Sequence, residues 1–396
     1  MKHKLDSIIS QKIDNIFDKI VGYREYLHQH PELSFQEYQT MDFVAEKLAE
    51  MNIPFEKGIA GTGVVGLIKN ANHLENQNCV GLRADLDALP IQELNDVPYK
   101  SVNEGVMHAC GHDVHTSVLL GASEILNDLK DELKQPVKLI FQPGEETHPG
   151  GASLLIGAGV LENPKVDHMF GLHVFPEFEA GHLGLRPGLY MASSDEIHVS
   201  IEGVGGHGAL PEKCVNPLMM GAEFVIKAKA LLVEICPENV PHVLSFGRFE
   251  ALGSTNVVPS TCEIKGTFRT MNEEWRTIAH QQLEELAANI STAYQGKINL
   301  KISKGYPFLK NDATLTNRLK IVFEENFGSS VVHDLPLRMT AEDFAFYSQK
   351  VPVVFFRLGV ANFSKNITFG VHHSRFDIDK NAIRTGIHAM VLAALQ

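Results

Sequence analysis

Two short segments restrict the possible folds of this chain more than any other feature: HACGHD at residues 108–113 and QPGEE at residues 142–146. Thiols, imidazoles and carboxylates bind metal ions, and alternate residues of an extended segment share a face, so Cys110 and His112 can reach one ion. Adjacent Glu145 and Glu146 cannot easily face one point, so one can bind metal while the other acts as a general base toward water. The pattern predicts a hydrolytic metal site on which both segments converge.

The composition is that of an ordinary globular protein with room for two or three domains: 396 residues, 44% apolar and 21% charged. A formal net charge of -13, with no run rich in lysine or arginine, argues against a nucleic-acid partner. Five cysteines without a framework spacing indicate reduced thiols. The first residues read as a helix rather than a signal peptide, and no apolar run reaches membrane-spanning length. We therefore expect a cytoplasmic protein without a membrane partner.

The first half of the chain alternates between helical and strand-like patterns. Apolar spacing predicts helices at about residues 6–30, 41–51 and 114–133, the last capped by Asp113. Short apolar runs predict buried strands at residues 63–68, 80–83, 137–141 and 169–173. This alternation predicts a layered α/β domain.

A different pattern begins near residue 187. The segment up to residue 302 reads strand, helix, strand, strand, helix, strand, which is a split βαβ order typical of a ferredoxin-like α+β unit. Helices at 312–327 and 341–350 and a buried strand at 352–358 follow it. We predict a discontinuous α/β catalytic domain, residues 1–186 and 303–396, interrupted by a small domain at 187–302.

Further metal ligands are expected from histidines. His173 ends a predicted strand, at the edge of the sheet where ligands bind in open α/β folds. His372 and His373 lie in a polar loop after the last predicted strand, and either could bind metal. One of these together with Cys110, His112, Glu146 and His173 makes more donors than a tetrahedral zinc takes, which favours two ions about 3.5 to 4 Å apart.

Two aspartates lie beside the predicted ligands in sequence. Asp85 follows a predicted strand, and Asp113 is adjacent to His112. Both could accept hydrogen bonds that orient ligand imidazoles, although Asp113 could instead only cap its helix.

Ordered motifs along nearly the whole chain resemble those of M20 peptidase-family amidohydrolases, in the subgroup of aminoacylase-like, hippurate-hydrolase-like and auxin-conjugate-hydrolase-like enzymes. The motifs are LRADLDALP at 82–90, MHACGHD at 107–113, PGEE at 143–146, GLH at 171–173, GGHGA at 205–209, NVVP at 256–259, AEDF at 341–344 and HS at 373–374. The resemblance implies a zinc-peptidase-like catalytic domain with a dinuclear metal centre and an inserted lid and dimerisation domain. By the same resemblance the metal ligands are Cys110, His112, Glu146, His173 and His373, with Glu145 as general base.

The resemblance also implies roles in the inserted domain. The histidine matching His207 helps to hold the substrate or polarise its carbonyl, often in a partner subunit's site, and Asn256 and Arg269 match positions that can contact a substrate carboxylate. A homo-oligomer, either a dimer or a dimer of dimers, is therefore expected. The choice of His373 over His372 rests on alignment of the loop alone, because Arg375 stands where the family commonly has proline. Thiolate favours zinc, whereas the other donors also accept manganese, cobalt or nickel.

Four functions are compatible with these residues. The first is hydrolysis of the amide bond of an N-acyl amino acid or a similar short substrate, and the second is cleavage of a dipeptide or short peptide at the same site. In a third, Cys110 is a nucleophile with His112 or His108 as base and no metal, which would leave the two glutamates without a role. A fourth, a non-catalytic binding protein, would not require Glu145.

Overall fold

The computed structural model describes residues 2–74 and 77–396. The chain forms two compact units. The first unit comprises the residues up to Tyr190, Lys310–Pro336 and Phe346–Gln396, and the second comprises Met191–Leu309 and Leu337–Ala345. This division differs from the sequence-based boundaries at 186/187 and 302/303, chiefly because Leu337–Ala345 belongs to the second unit.

Helices and strands follow one another along the chain. The helices are α1 (Lys2–Gln29), α2 (Tyr38–Glu50), α3 (His112–Asp128), α4 (Gly151–Gly157), α5 (Pro217–Ile235), α6 (Glu273–Tyr294), α7 (Ala313–Phe327), α8 (Ala345–Ser348) and α9 (Asn381–Ala394). The strands are β1 (Phe55–Ile59), β2 (Gly63–Ile68), β3 (Cys79–Asp85), β4 (Val137–Gln142), β5 (Val166–Glu179), β6 (Leu183–Leu185), β7 (Gly188–Met191), β8 (Asp195–Glu202), β9 (Gly206–His207), β10 (His242–Glu250), β11 (Val257–Val258), β12 (Thr261–Thr270), β13 (Lys297–Lys304), β14 (Leu309–Asn311), β15 (Val332–Asp334) and β16 (Val353–Ala361). Within the described residues, no helix is both long enough and apolar enough to cross a membrane.

An eight-stranded sheet forms the centre of the first unit, in the order β1-β2-β4-β3-β5-β16-β6-β15. The central strands β4, β3, β5 and β16 are parallel to one another, and β3, β4 and β16 are buried along their whole length. Their near-continuous apolar runs suit strands that are covered on both faces. The carboxyl ends of parallel strands meet at one edge, where Asp85 of β3 pairs in register with Gln142 of β4.

Helices α1, α3 and α9 pack against one another and contribute to the large apolar core of this unit. Helix α3 is buried over most of its length, so its first turn lies inside the unit rather than on its surface. That turn contains His112 and Asp113.

Three details of the sequence-based elements are wrong. Helix α3 begins at His112 with Gly111 as its N-cap, so Asp113 lies in the first turn and does not cap the helix. Strand β5 continues to Glu179, so His173 lies within a strand instead of at its end. The helix expected at 341–350 is reduced to α8, which has four residues.

The second unit contains a four-stranded antiparallel sheet, β10-β12-β8-β13, whose apolar face packs against α5 and α6. The order β8, α5, β10, β12, α6, β13 matches the split βαβ order read from the sequence. Local signals explain both helix starts, because the side chains of Asn216 and Asn272 accept hydrogen bonds from the first turns of α5 and α6.

Candidate metal centre

The two segments singled out in the sequence converge in the first unit. Cys110, His112 and His173 each offer a donor atom within 4.8 Å of the others, and the Cys110 Sγ and His173 Nε2 atoms are 3.3 Å apart. Other groups within the same distance overlap with it, among them His112 with Glu145 and Glu146, and Cys110 with Glu146 and His372. Because the groups share members, the donors form one continuous cluster.

A sharp backbone turn brings Cys110 and His112 to this cluster. Gly111 between them has φ of 80°, and a Cβ at this position would lie 2.6 Å from a methyl carbon of Val174. Only glycine adopts such a conformation without strain and leaves room for the neighbouring strand. The two donors therefore meet through a turn into α3, and not along an extended strand as their spacing suggested.

Asp87 organises three of the cluster's groups. Its carboxylate accepts the backbone N–H groups of Glu145 and Glu146 at 3.0 and 2.9 Å, and it lies 3.2 Å from Nδ1 of His112. With Nδ1 directed at Asp87, Nε2 of His112 is directed away from it; this buried nitrogen has no hydrogen-bond partner among the described residues. Sequence reasoning did not assign Asp87, although it stands in the same DLDALP motif as Asp85.

The electrostatics at His112 suit a bound cation. Burial lowers the pKa of His112, but the carboxylates of Asp85, Asp87 and Glu146 outweigh it and raise the pKa to about 10. Without a positive charge at this point, the imidazole would therefore carry a proton between carboxylates. A divalent ion satisfies the same carboxylates and uses the free Nε2 atom, so the residues present fit a metal.

His173 and Cys110 differ in the way burial affects them. Burial and the charge of Arg357 hold the pKa of His173 well below its usual range. Nδ1 of His173 lies 2.8 Å from the Val174 carbonyl, so Nε2 is the ring nitrogen that faces Cys110. Burial and the carboxylates of Glu146 and Glu145 raise the pKa of the Cys110 thiol well above its usual range. A thiol that stays protonated is a poor nucleophile, which disfavours the metal-free cysteine mechanism.

Asp85 is bound to a histidine that sequence reasoning missed. Its two carboxylate oxygens lie 2.5 Å from Nδ1 of His115 and 2.6 Å from Nη1 of Arg83. The charge of Arg83 and the hydrogen bond from His115 outweigh burial, so the pKa of Asp85 falls well below its usual range. Nε2 of His115 accepts the backbone N–H of Val174, so both ring nitrogens are occupied. His115 therefore positions Asp85 and β5 rather than offering a free donor. Its spacing of three residues from His112, on one helix face, was the available signal.

The other predicted orienting residue, Asp113, faces away from the donor imidazoles. It accepts a hydrogen bond from Nε of Arg24 at 2.8 Å and lies 2.7 Å from Nδ1 of His28, both on α1. Its contacts connect the start of α3 to α1.

The structure brings His372, and not His373, into the donor cluster. Nε2 of His372 lies 3.1 Å from Glu146 Oε1, and its backbone N–H donates to the Ala109 carbonyl at 2.7 Å. The ring of His373 instead stacks on Phe369, and its Nδ1 accepts the backbone N–H of Arg375 at 3.0 Å. His372 has φ of 63°, a left-handed conformation that is uncommon for a residue other than glycine. These contacts favour His372 as the ligand, and the assignment of His373 by resemblance stays a prediction.

The three residues expected to contact substrate belong to the second unit. His207 and Asn256 lie close together, because β9 pairs with β11 and the Gly208 N–H donates to the Asn256 carbonyl at 2.8 Å. His207 is exposed, as is expected of a residue that contacts a ligand. Arg269 lies on β12, where Nη1 donates to the Met339 carbonyl at 3.3 Å. Their roles toward a substrate stay predictions.

Known proteins resemble this chain over nearly its whole length. The model of peptidase family M20/M25/M40 matches residues 81–396, which is more than half of the chain. An N-acetyl-L-cysteine deacetylase of Bacillus subtilis is 35% identical over 92% of this chain and 85% of its own length. Thermostable carboxypeptidase 2 of Saccharolobus solfataricus is 33% identical over 98% of each chain. The crystal structure of a dinuclear metal binding peptidase of the M20 family, from Bacillus subtilis, matches with a TM-score of 0.79 and 31% identity over 96% of this chain and 98% of that one. The family resemblance and the fold class read from the sequence are confirmed.

Proposed function

The chain belongs to peptidase family M20/M25/M40 and is a hydrolase of that family, and we propose that it cleaves the amide bond of N-acyl amino acids at a dinuclear metal centre. The observation that carries the proposal is the convergence of a thiol, imidazoles and carboxylates from distant segments on one cluster in the first unit. The relative described as a dinuclear metal binding peptidase supports two ions.

The proposed ligands are Cys110, His112, Glu146, His173 and His372. The cluster contains both nitrogen and sulfur donors, which suit zinc, and carboxylate oxygens, which suit manganese. Divalent ions bound there supply Lewis acidity: they polarise a carbonyl and lower the pKa of water. Zinc or manganese is our first proposal for the metal, with cobalt or nickel as further candidates.

Glu145 is the proposed general base. Its backbone is held by Asp87, its side chain belongs to the same donor group as His112 and Glu146, and it is 7% exposed. In this position the carboxylate can take a proton from the attacking water and deliver it to the leaving nitrogen. The buried surroundings reduce competition from bulk solvent for that proton.

The substrate class is argued from relatives. An N-acetyl-L-cysteine deacetylase that covers most of the chain favours a short acyl group on an amino acid. His207 would polarise the substrate carbonyl, and Asn256 with Arg269 would contact its carboxylate. The carboxypeptidase relative makes short peptides the second candidate substrate.

The cellular setting is part of the same proposal. We place the enzyme in the cytoplasm as a homo-oligomer, with the second unit as its lid and dimerisation domain. Reduced cysteines support the location, since Cys79, Cys110, Cys214, Cys236 and Cys262 are all free thiols in the structure.

The experiment that tests the function is a hydrolysis screen of the metal-reconstituted enzyme over N-acetyl and N-benzoyl amino acids and free-amino dipeptides. Preference for acylated amino acids supports the proposal, and preference for dipeptides supports the peptidase.

Glu145→Gln should retain its metal ions and lose at least about a hundredfold in kcat, whereas the matched control Glu132→Gln, at an exposed position, should behave as wild type. A fully active Glu145→Gln enzyme would show that the base is assigned wrongly.

A further inference from the structure

Arg24 joins the two segments that carry proposed metal ligands. It lies on α1, is 3% exposed, and binds carboxylates on both sides. Its Nε donates to Asp113 at 2.8 Å and its Nη2 donates to Asp377 at 3.0 Å. Asp113 follows the proposed ligand His112 directly, and Asp377 follows the loop that carries His372. One guanidinium group therefore spans the distance between the start of α3 and that loop.

The loop with His372 depends on such anchors. Residues 368–373 are exposed and lie outside helices and strands, so packing contributes little to their position. The hydrogen bonds that hold the backbone of this segment come from neighbouring loops: His372 N–H to the Ala109 carbonyl at 2.7 Å, Leu94 N–H to the Ser374 carbonyl at 2.8 Å, and Asn95 Nδ2 to the Phe376 carbonyl at 2.9 Å. Two side chains anchor the end of this segment: Phe376, which is buried in the apolar core, and Asp377, which is the polar anchor.

The anchor at Asp377 is built from buried or half-buried groups. Tyr99 donates its hydroxyl to Asp377 at 2.8 Å, and its ring lies 4.8 Å from the Arg24 guanidinium carbon. Burial lowers the pKa of Arg24, but Asp113 and Asp377 outweigh it, so the guanidinium stays charged. The planar guanidinium group of Arg24 binds both carboxylates and so fixes the distance between them and their orientation, which the single ammonium group of a lysine cannot do.

We propose that Arg24 and Asp377 are positioning residues that set the spacing between Cys110 and His112 on one side and His372 on the other, and so tune the affinity for metal ions. The inference rests on the proposed function, because it presupposes that these side chains bind metal. Neither residue touches the donor cluster itself, so the effect passes through Asp113 and through the loop.

The test is Zn²⁺ binding to metal-free protein, measured by titration against a competing chelator. Asp377→Ala removes the loop side of the bridge and leaves the bond between Arg24 and Asp113. We expect the dissociation constant of the more weakly bound Zn²⁺ ion to rise by about tenfold or more, which is the effect typical of losing a residue that orients metal ligands. Tyr99→Phe removes one of the two bonds to Asp377 and should shift the same constant in the same direction by less.

The matched control is Asp14→Ala. Asp14 also lies on α1 and forms an ion pair with an arginine of the C-terminal segment, Arg384, but the pair is exposed and distant in sequence from the proposed ligands. Its Zn²⁺ affinities should equal those of wild type. Thermal unfolding of each metal-free variant separates positioning from general stability.

Each outcome decides one question. Weaker Zn²⁺ binding by Asp377→Ala, with metal-free unfolding close to wild type, supports the inference. Wild-type affinity in Asp377→Ala overturns it, even if the variant is less stable. If Asp377→Ala does not fold, Tyr99→Phe and Asp377→Asn decide: weaker binding in them supports the inference, and unchanged binding overturns it. If wild type itself binds none of Zn²⁺, Mn²⁺, Co²⁺ and Ni²⁺, the proposed function fails, and that result is distinct from failure of the inference.

Discussion

Asp87 is the single residue on which most of the cluster's geometry depends. Its carboxylate lies beside Nδ1 of His112 and accepts hydrogen bonds from the backbone N–H groups of Glu145 and Glu146. It also accepts the hydroxyl of Ser34 at 2.6 Å. Four partners for one buried carboxylate mean that its removal leaves several buried donors unsatisfied. Each unsatisfied donor costs about 1 to 3 kcal/mol.

Asp87→Ala should therefore lower the free energy of unfolding of the metal-free protein by at least about 2 kcal/mol. It should also weaken metal binding, since His112 loses the group that orients it. Urea unfolding and Zn²⁺ titration measure the two effects. An Asp87→Ala variant with wild-type stability and affinity would show that this carboxylate does not organise the cluster.

Gly111 permits a second prediction at the residue scale. Gly111→Ala adds a methyl group at φ of 80° that meets Val174 at 2.6 Å, while Gly105→Ala adds one at φ of 75° with no neighbour within 4 Å. Gly105→Ala is the control: it lowers the free energy of unfolding only by the cost of placing alanine in a left-handed conformation, about 1 kcal/mol. We expect Gly111→Ala to cost clearly more in chemical denaturation. Equal costs for the two substitutions would mean that the contact with Val174 does not restrict this turn.

At the scale of elements, the second unit holds β8 to α6 through a buried ion pair. Asp195 of β8 receives Arg276 Nε at 2.9 Å and lies 2.7 Å from His280 Nε2, both on α6. Burial raises the pKa of Asp195, but His280 and Arg276 outweigh it, so the pKa lies below its usual value. The pair joins the sheet of this unit to one of its two helices.

The sign of the pH dependence follows from that shift. The pKa of Asp195 is lower in the folded protein than in the unfolded chain, where it is about 3.9. The ionised carboxylate therefore stabilises the fold above about pH 3.9, and this contribution is lost as the pH falls through the pKa of the folded state. Asp195→Asn should therefore cost about 1 to 3 kcal/mol at neutral pH, because buried Arg276 loses one of its two carboxylate partners and keeps only Glu273. The difference from wild type should shrink in acid below about pH 4. Unfolding free energies at a series of pH values test this, and a difference that grows in acid would contradict it.

The helices and strands also show how much of the fold can be predicted from the sequence. Apolar runs predicted the buried strands β3 and β4, because this signal is local. The extension of β5 past His173 and the small size of α8 depend on neighbouring strands and loops. At the residue scale, the choice between His372 and His373 depends on their contacts with Glu146 and Phe369, and the role of His115 depends on a hydrogen bond to the backbone of β5. Neither signal is present in the residue type alone.

At the scale of the whole molecule, bound metal should stabilise the fold. An ion that binds only the folded state adds about 2.7 kcal/mol at a free concentration of 100 times its dissociation constant. We expect a chelator to remove activity and to lower the unfolding temperature, and readdition of Zn²⁺ or Mn²⁺ to restore both. Glu145→Gln should show the same thermal response without activity. An unfolding temperature that does not respond to metal would argue against a site within the fold.

The most direct measurement is a crystal structure of the metal-loaded protein with anomalous diffraction at the metal edge. We expect two anomalous peaks about 3.5 to 4 Å apart, bound by Cys110, His112, Glu146, His173 and His372, with Glu145 beside them and not bound. A structure of the loaded protein without a peak at these side chains, or with the metal bound elsewhere, would contradict it.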